Sequence, residues 1–138
     1  EDNVGYFITY GDIRLAHVTD DGCMTETIHS YIARANHLVI ESNYDEEMLR
    51  NGSYPTQLKR RIQGTSGHLS NREAAETVRF HCEHLQRVWL CHISANNNTP
   101  QKAMNEVMNC LRLSGMDEKE IPEIVALNRT SPTGFFDM

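Results

Sequence analysis

Residues 37–41 have the sequence His-Leu-Val-Ile-Glu, an apolar run that ends in a carboxylate. The run is too short for a stable helix, so it predicts a buried β-strand with a polar tip. Residues 87–91, Arg-Val-Trp-Leu-Cys, predict a second strand of this kind, and residues 123–127 predict a third. Helical patterns lie between these strands. This alternation indicates a layered α/β sheet whose later strands pair in parallel.

The segments around these strands complete the predicted order of elements. Residues 4–10 and 13–19 are rich in β-branched and aromatic residues and are separated by Gly11 and Asp12, which predicts a β-hairpin. Ser70 and Glu73 have the spacing of a capping box, the signal that begins a helix. Helices are predicted over residues 24–35, 45–50, 55–63, 71–85 and 100–113.

Length and composition limit the class of protein. The 138 residues, 39% of them hydrophobic, can bury one modest core, so residues 1–138 are expected to form a single domain or part of a larger one. No apolar run approaches the roughly 20 residues that span a bilayer, and no membrane partner is expected. The cysteines contain no Cys-x-x-Cys pair, which argues against a zinc knuckle and indicates a reduced, cytoplasmic protein. The net charge of −6 opposes broad binding to phosphate backbones by this chain alone.

Three predicted strands end in residues that can bind a metal or move a proton. Asp20 follows the hairpin, Glu41 ends the strand at 37–41, and His92 follows the strand at 87–91. Active sites of α/β sheets collect at such strand ends, so these side chains are expected to converge. Each position also has an ordinary structural interpretation. Asp-Asp-Gly is common turn chemistry, and a histidine or a glutamate there can cap a strand or a helix.

A further candidate is His68, in the segment Gly-His-Leu-Ser-Asn at residues 67–71. Nearby glycines would let a histidine at this position approach a phosphate or a leaving oxygen closely, where it could act as a general acid. The alternative is that His68 is exposed and that Ser70 serves only as a helix cap.

Two sets of charged or titratable residues are interpreted as structural, not functional. Lys59, Arg60 and Arg61 form the one dense basic run, for which a solvated helix face is the default over a phosphate contact. His81 and His84 have a spacing of three residues, but they lack the carboxylate spacing of a zinc-protease helix. They are therefore expected to lie on the surface.

Five motifs, taken in their order along the chain, resemble one family. They are Thr-Asp-x-Gly at 19–22, Glu-Ser-Asn-Tyr-Asp at 41–45, Tyr-Pro-x-x-Leu-Lys-x-Arg-Ile at 54–62, Gly-His-Leu-Ser-Asn at 67–71 and His-Ile-Ser-x-x-Asn-Asn-x-Pro at 92–100. Together they are similar to the bacterial metallo-β-lactamase-fold hydrolases that are related to ribonuclease Z and described as DNA exonucleases. The resemblance extends from about residue 4 to residue 128.

The resemblance implies a role for each candidate residue. Asp20 matches the carboxylate that bridges two divalent metal ions, zinc or manganese, and His92 matches the last histidine ligand of the second ion. His68 matches a proton-donating or phosphate-contacting histidine, and Glu41 matches an orienting carboxylate. Substrate contacts are expected from polar residues of the same motifs, which are Ser70, Asn71, Ser94 and Asn97.

The chain departs from the family pattern because it contains no His-x-His-x-Asp-His motif. The resemblance therefore implies the second β/α half of a four-layer αββα sandwich, with the N-terminal half of the same domain as its partner. The expected function of the intact protein is metal-dependent hydrolysis of phosphodiesters in nucleic acids. Two alternatives stay open: a non-catalytic fragment or binding module, and a hydrolase of small thioesters or lactones with the same fold.

Overall fold

The computed structural model describes residues 5–20 and 22–138. Within these residues, five strands form one sheet in the order β1-β2-β3-β4-β5. The strands are β1 (Tyr6–Tyr10), β2 (Ile13–Val18), β3 (His37–Glu41), β4 (Arg87–Cys91) and β5 (Glu123–Ala126). β1 and β2 form the predicted antiparallel hairpin, and all later pairs are parallel. The predicted layered α/β sheet is confirmed; residue 4 of the predicted hairpin lies outside the described residues.

Most of the helices begin at a capping side chain, whereas the helix that follows Pro55 has no side-chain cap. The helices are α1 (Glu26–Ile32), α2 (Glu46–Asn51), α3 (Thr56–Ile62), α4 (Asn71–His81) and α5 (Pro100–Leu113). Ser70 and Glu73 form the predicted capping box at the start of α4. α1 is shorter than predicted, because Thr25 caps it at its start and Ala33 ends it. α4 is also shorter, and a 3-10 turn over Cys82–His84 follows it.

The core lies between one face of the sheet and the helices. Its fully buried side chains include Leu38 and Ile40 of β3, Val88 and Leu90 of β4, and Val107 of α5. No helix within residues 5–20 and 22–138 is long and apolar enough to cross a membrane.

The opposite face of the sheet is covered in part by the C-terminal segment and is exposed in part. Trp89 of β4 packs edge-on against Phe136, with ring centroids 5.5 Å apart, so the C-terminal segment covers this part of the face. On β1, Tyr6 is 60% exposed, Ile8 52% and Tyr10 81%. These three side chains alternate with Phe7 and Thr9 along the strand, so they form an apolar strip on one side of the hairpin.

The prediction that His81 lies on the surface is wrong. His81 is only 4% exposed, and its Nε2 lies 2.9 Å from Nδ1 of His29 in α1. The physical reason is that His81 lies one turn after Val78, on the side of α4 that faces the core, and α1 covers it. Burial, together with the smaller effects of the neighbouring His29 and His84, lowers the pKa of His81 to about 4.

Candidate metal centre

Four side chains converge at the carboxyl ends of the parallel strands. The strand register places Val18, Ile40 and Leu90 side by side, so the residues that follow them meet at one edge of the sheet. These residues and the loop before α4 form an acid–histidine cluster, composed of Asp20, Glu41, His68 and His92. One ligand atom from each residue lies within 4.8 Å of all the others. The structure thus brings together the four residues that the sequence selected, while their individual roles stay predictions.

Glu41 is the buried centre of the acid–histidine cluster. Its side chain is 0% exposed, and its Oε1 accepts a hydrogen bond from His92 Nδ1 at 2.6 Å. The same oxygen lies 2.8 Å from His68 Nδ1, and Oε2 accepts a long hydrogen bond of 3.4 Å from the backbone N–H of Leu69. A buried carboxylate is tolerated only when it is paired in this way. Glu41 therefore holds two imidazoles in place.

The environment of His92 favours its protonated form. The hydrogen bond to Glu41 is the largest cause that raises the pKa of His92, and the charges of Glu41 and Asp20 add to it. Partial burial and the positive charge of Arg129 act in the opposite direction. When a carboxylate fixes Nδ1 of a histidine, the ring can present Nε2 to a metal ion, which is a common arrangement around zinc.

Nδ1 of His68 faces the two carboxylates of the acid–histidine cluster. Nδ1 lies 2.8 Å from Glu41 Oε1 and 3.6 Å from Asp20 Oδ1. The approach lacks hydrogen-bond geometry, however, and this buried atom has no hydrogen-bond partner within the described residues. Glu41 thus contacts both imidazoles, but it forms a hydrogen bond with His92 and only a charge contact with His68.

Two residues of the acid–histidine cluster have strained backbones. Asp20 has a φ of 60° and His92 a φ of 52°, and within residues 5–20 and 22–138 they are the two non-glycine residues with positive φ. Such left-handed conformations cost on the order of 1–3 kcal/mol each and collect at functional sites. Nothing in the sequence around these residues indicated this strain.

Two glycines bring the loops of Asp20 and His68 into direct contact. A Cβ added to Gly22 would lie 2.3 Å from the backbone nitrogen of Gly67, and a Cβ added to Gly67 would lie 2.1 Å from the carbonyl oxygen of Ile62. The backbone N–H of His68 donates to the same carbonyl at 2.9 Å. Only glycine permits these approaches, so the two loops lie backbone against backbone.

The residues predicted to contact substrate lie close to the acid–histidine cluster, but most of them make internal hydrogen bonds. The Ser70 hydroxyl donates to Glu73 and accepts from its backbone N–H. The Asn71 carbonyl oxygen accepts from Ser42 at 2.7 Å, and Ser94 Oγ accepts from the backbone N–H of Asn97. Ser70, Asn71 and Asn97 are buried, whereas Ser94 is half-buried. Their contact with substrate stays a prediction.

Sequence reasoning missed several residues around the acid–histidine cluster. A hollow of about 600 Å³ on one side is lined by Tyr54, His92 and Arg129, among others. A hollow of about 440 Å³ on the other side is lined by Asp20, Arg61 and His68, among others. Tyr54 and Arg61 are positions of the motif at 54–62 and could have been selected from it, whereas the sequence around Arg129 offers no signal.

The donor set of the acid–histidine cluster fits a divalent metal ion. It offers two imidazoles and two carboxylates, the nitrogen and oxygen ligands that suit zinc and manganese. The closeness of the four ligand atoms supports this fit.

Comparisons with known proteins show what the chain as a whole is similar to. No family model matches the chain. It is 36% identical to exodeoxyribonuclease YycJ of Bacillus anthracis, over 121 residues that make up 87% of this chain and 46% of that protein. It is also 36% identical to exodeoxyribonuclease WalJ of Streptococcus pneumoniae strain D39, over 68% of this chain and 35% of that protein. The chain thus spans less than half the length of these relatives.

A solved structure shows the same fold at low sequence identity. The metallo-β-lactamase fold protein YhfI from Bacillus subtilis superimposes with a TM-score of 0.61 and 14% identity, over 95% of this chain and 42% of that one. The chain therefore has the metallo-β-lactamase fold, over a length consistent with its C-terminal half, and its homologues over that length are the exodeoxyribonucleases YycJ and WalJ.

Proposed function

We propose that the intact protein is a metal-dependent phosphodiesterase that cuts DNA. The observation that carries this proposal is the convergence of two carboxylates and two histidines at the strand ends, with ligand atoms within 4.8 Å of one another. The names of the relatives, both exodeoxyribonucleases, support DNA as the substrate. A thioester or lactone hydrolase of the same fold is the competing assignment.

Asp20 and His92 are the residues we assign to hold metal. Asp20 Oδ1 lies 3.3 Å from His92 Nδ1, so the carboxylate lies beside the imidazole that Glu41 holds. Divalent ions of zinc or manganese bound there would stabilise the negative charge that develops on the phosphoryl oxygens during hydrolysis. Glu41 is a positioning residue, since it is fully buried and acts through the two imidazoles that it contacts.

His68 is the residue we assign to proton transfer. Its ring is partly exposed, so it can reach a bound phosphodiester, and Glu41 lies on its buried side. Donation of a proton to the leaving 3′-oxygen would remove the need to expel an unstable alkoxide. Ser70, Asn71, Ser94 and Asn97 stay candidates for contact with the DNA.

The proposal includes the N-terminal half of the same domain as the partner of this chain. A dinuclear site needs several ligands for each ion, and Asp20 and His92 alone cannot supply them. The apolar strip of Tyr6, Ile8 and Tyr10 on β1 also favours a covering layer, because exposed apolar surface of this kind is stabilised by burial. A second β-layer on this face would produce the αββα sandwich.

The test uses the intact protein loaded with zinc or manganese and an end-labelled DNA strand. We expect cleavage that is lost in EDTA and lost in Asp20→Ala, together with much of the bound metal. Asp117→Ala, which removes an exposed carboxylate outside the acid–histidine cluster, is the matched control and should keep full activity. Cleavage that survives both EDTA and Asp20→Ala would contradict the proposal. Hydrolysis of thioesters without any cleavage of DNA would favour the competing assignment.

A further inference from the structure

The two hollows beside the acid–histidine cluster form one groove. The larger one and the smaller one share Leu58, Ile62 and His68 as lining residues. The groove therefore passes from Arg61 and Asp20 on one side, across His68, to Tyr54 and Arg129 on the other. We call it the α3 groove, because Leu58, Arg61 and Ile62 of α3 form its wall.

The basic run of α3 separates into three different environments. Lys59 Nζ donates to the carbonyl oxygens of Arg50 and Gly52 at 2.7 Å each, so it satisfies the end of α2. Arg60 is exposed and lines neither hollow, whereas Arg61 lines the hollow that contains Asp20 and His68. The structure thus assigns a solvated or structural place to two of these cations and a place beside the acid–histidine cluster to the third.

The α3 wall of the groove is partly apolar and exposed beside Arg61. Leu58 is an exposed large hydrophobic residue, and Ile62 beside it is half-buried. Tyr54 lines the same hollow, and its hydroxyl accepts a hydrogen bond of 2.8 Å from Asn96 Nδ2, which fixes the ring across the groove. A fixed aromatic ring next to aliphatic side chains suits the flat face of a nucleobase.

Charge in the α3 groove differs from that of the chain as a whole. The chain carries a net charge of −6, which opposes binding to a polyanion over its whole surface. Arg61 at one end of the groove and Arg129 at the other supply local positive charge on both sides of the metal ligands. Phosphates are therefore favoured at the two ends of this groove.

We propose that the α3 groove binds a single strand of nucleic acid, with Arg61 contacting a phosphate that neighbours the one being cut and Tyr54 stacking on a base. This inference rests on the proposed function and deepens it. A base in a duplex is stacked and paired within the helix, so Tyr54 can reach its face only in a single strand or at a frayed end.

Binding is measured by fluorescence anisotropy on the intact protein, in EDTA to prevent cleavage, with a labelled single-stranded oligothymidylate. Arg61→Ala should weaken binding roughly tenfold, as expected for loss of a charged hydrogen bond, and should reduce the salt slope by about 1. Arg60→Ala, one residue away on the same helix, is the matched control and should leave both quantities unchanged. Equal effects of the two substitutions would overturn the assignment of Arg61.

Stacking is tested by two substitutions at Tyr54. Tyr54→Ala should weaken binding of the single strand about 5-fold to 150-fold, whereas Tyr54→Phe keeps the ring and should bind nearly as the parent does. If Tyr54→Phe loses as much as Tyr54→Ala, the hydroxyl and not the ring is what matters, and stacking is wrong. Binding of a blunt duplex as tightly as the single strand would also overturn the proposal.

A small substrate separates this inference from the proposed function. The p-nitrophenyl ester of thymidine monophosphate has no neighbouring phosphate, so its hydrolysis by the parent tests the proposed function without the contact assigned to Arg61. If the parent hydrolyses this ester but binds the oligonucleotide without any dependence on Arg61 or Tyr54, the inference alone fails. If the metal-loaded parent cleaves no phosphodiester at all, the proposed function fails, whatever the binding measurements give.

Discussion

His68 differs from the other members of the acid–histidine cluster because its Nδ1 is buried without a hydrogen-bond partner within the described residues. If it is the proton donor, His68→Ala in the intact protein should lower kcat by about 10²-fold to 10⁴-fold and leave the metal content near the parental value. The His68→Ala variant should cut a substrate whose leaving group needs no proton almost as fast as the parent does. Metal content measured by mass spectrometry distinguishes a proton donor from a metal ligand, since loss of metal in His68→Ala would show that His68 is a ligand.

Gly67 carries a separate prediction at the scale of single residues. Gly67→Ala would place a methyl group 2.1 Å from the Ile62 carbonyl, so the backbone that positions His68 must shift. We expect a loss of stability and a loss of activity, because a displacement of about 1 Å at a catalytic group can cost 10²-fold in rate.

Gly64, three residues earlier in the same loop, is the matched control for Gly67. A Cβ added there would meet its nearest neighbour at 3.4 Å, an ordinary contact. Gly64→Ala should therefore leave activity unchanged and leave the free energy of unfolding the same or slightly higher. Equal losses in both variants, measured by urea unfolding and by initial rates, would show that the contact of Gly67 with Ile62 is unimportant.

At the scale of elements, the contact between α1 and α4 predicts a dependence of stability on pH. The pKa of His81 is lowered to about 4 in the folded protein, against an ordinary value of 6.5. Below pH 6.5 the unfolded chain takes up a proton at this position and the folded chain does not, so folding becomes less favourable as the pH falls toward 4. The expected loss between pH 7 and pH 5 is roughly 2 kcal/mol.

Urea unfolding of the parent and of His81→Leu at pH 7 and pH 5 measures the contribution of His81. The variant lacks the titrating group, so its free energy of unfolding should fall less over this range. The prediction is wrong if the parent and His81→Leu lose the same free energy between the two pH values.

The elements themselves were largely predictable from local signals. β3 and β4 have the bounds expected from their apolar runs, and α4 begins at the capping box of Ser70 and Glu73. The end of α1 was placed too late, because apolar spacing continues beyond the residue at which the helix stops. His81 was misplaced because the periodicity of α4 identifies a buried face, but not which helix packs on it.

At the scale of the whole molecule, the small number of metal ligands in this chain predicts that residues 1–138 alone form an incomplete metal site. The acid–histidine cluster supplies four groups, of which two are assigned as ligands, whereas each ion of a dinuclear site needs several. We expect residues 1–138 alone to bind less than one metal ion per chain after dialysis, and the intact protein to bind about two. Two tightly held ions in the isolated chain, measured by mass spectrometry, would contradict this.

The sequence by itself determined the α/β layers, the parallel order of the later strands and the placement of Asp20, Glu41 and His92 at strand ends. These features depend on side-chain periodicity, caps and turns, which are local properties of the chain. His68 was selected both by the family resemblance and by its place between Gly67 and the capped start of a helix.

The tertiary structure alone decided how these residues meet. It showed the burial of Glu41 between two imidazoles, the left-handed backbones of Asp20 and His92, and the contact between the Gly22 and Gly67 loops. It also separated Arg61 from Lys59 and Arg60, which are alike in sequence but not in surroundings. Distances, burial and pKa values depend on which distant segments pack together, and one sequence contains no local record of that packing.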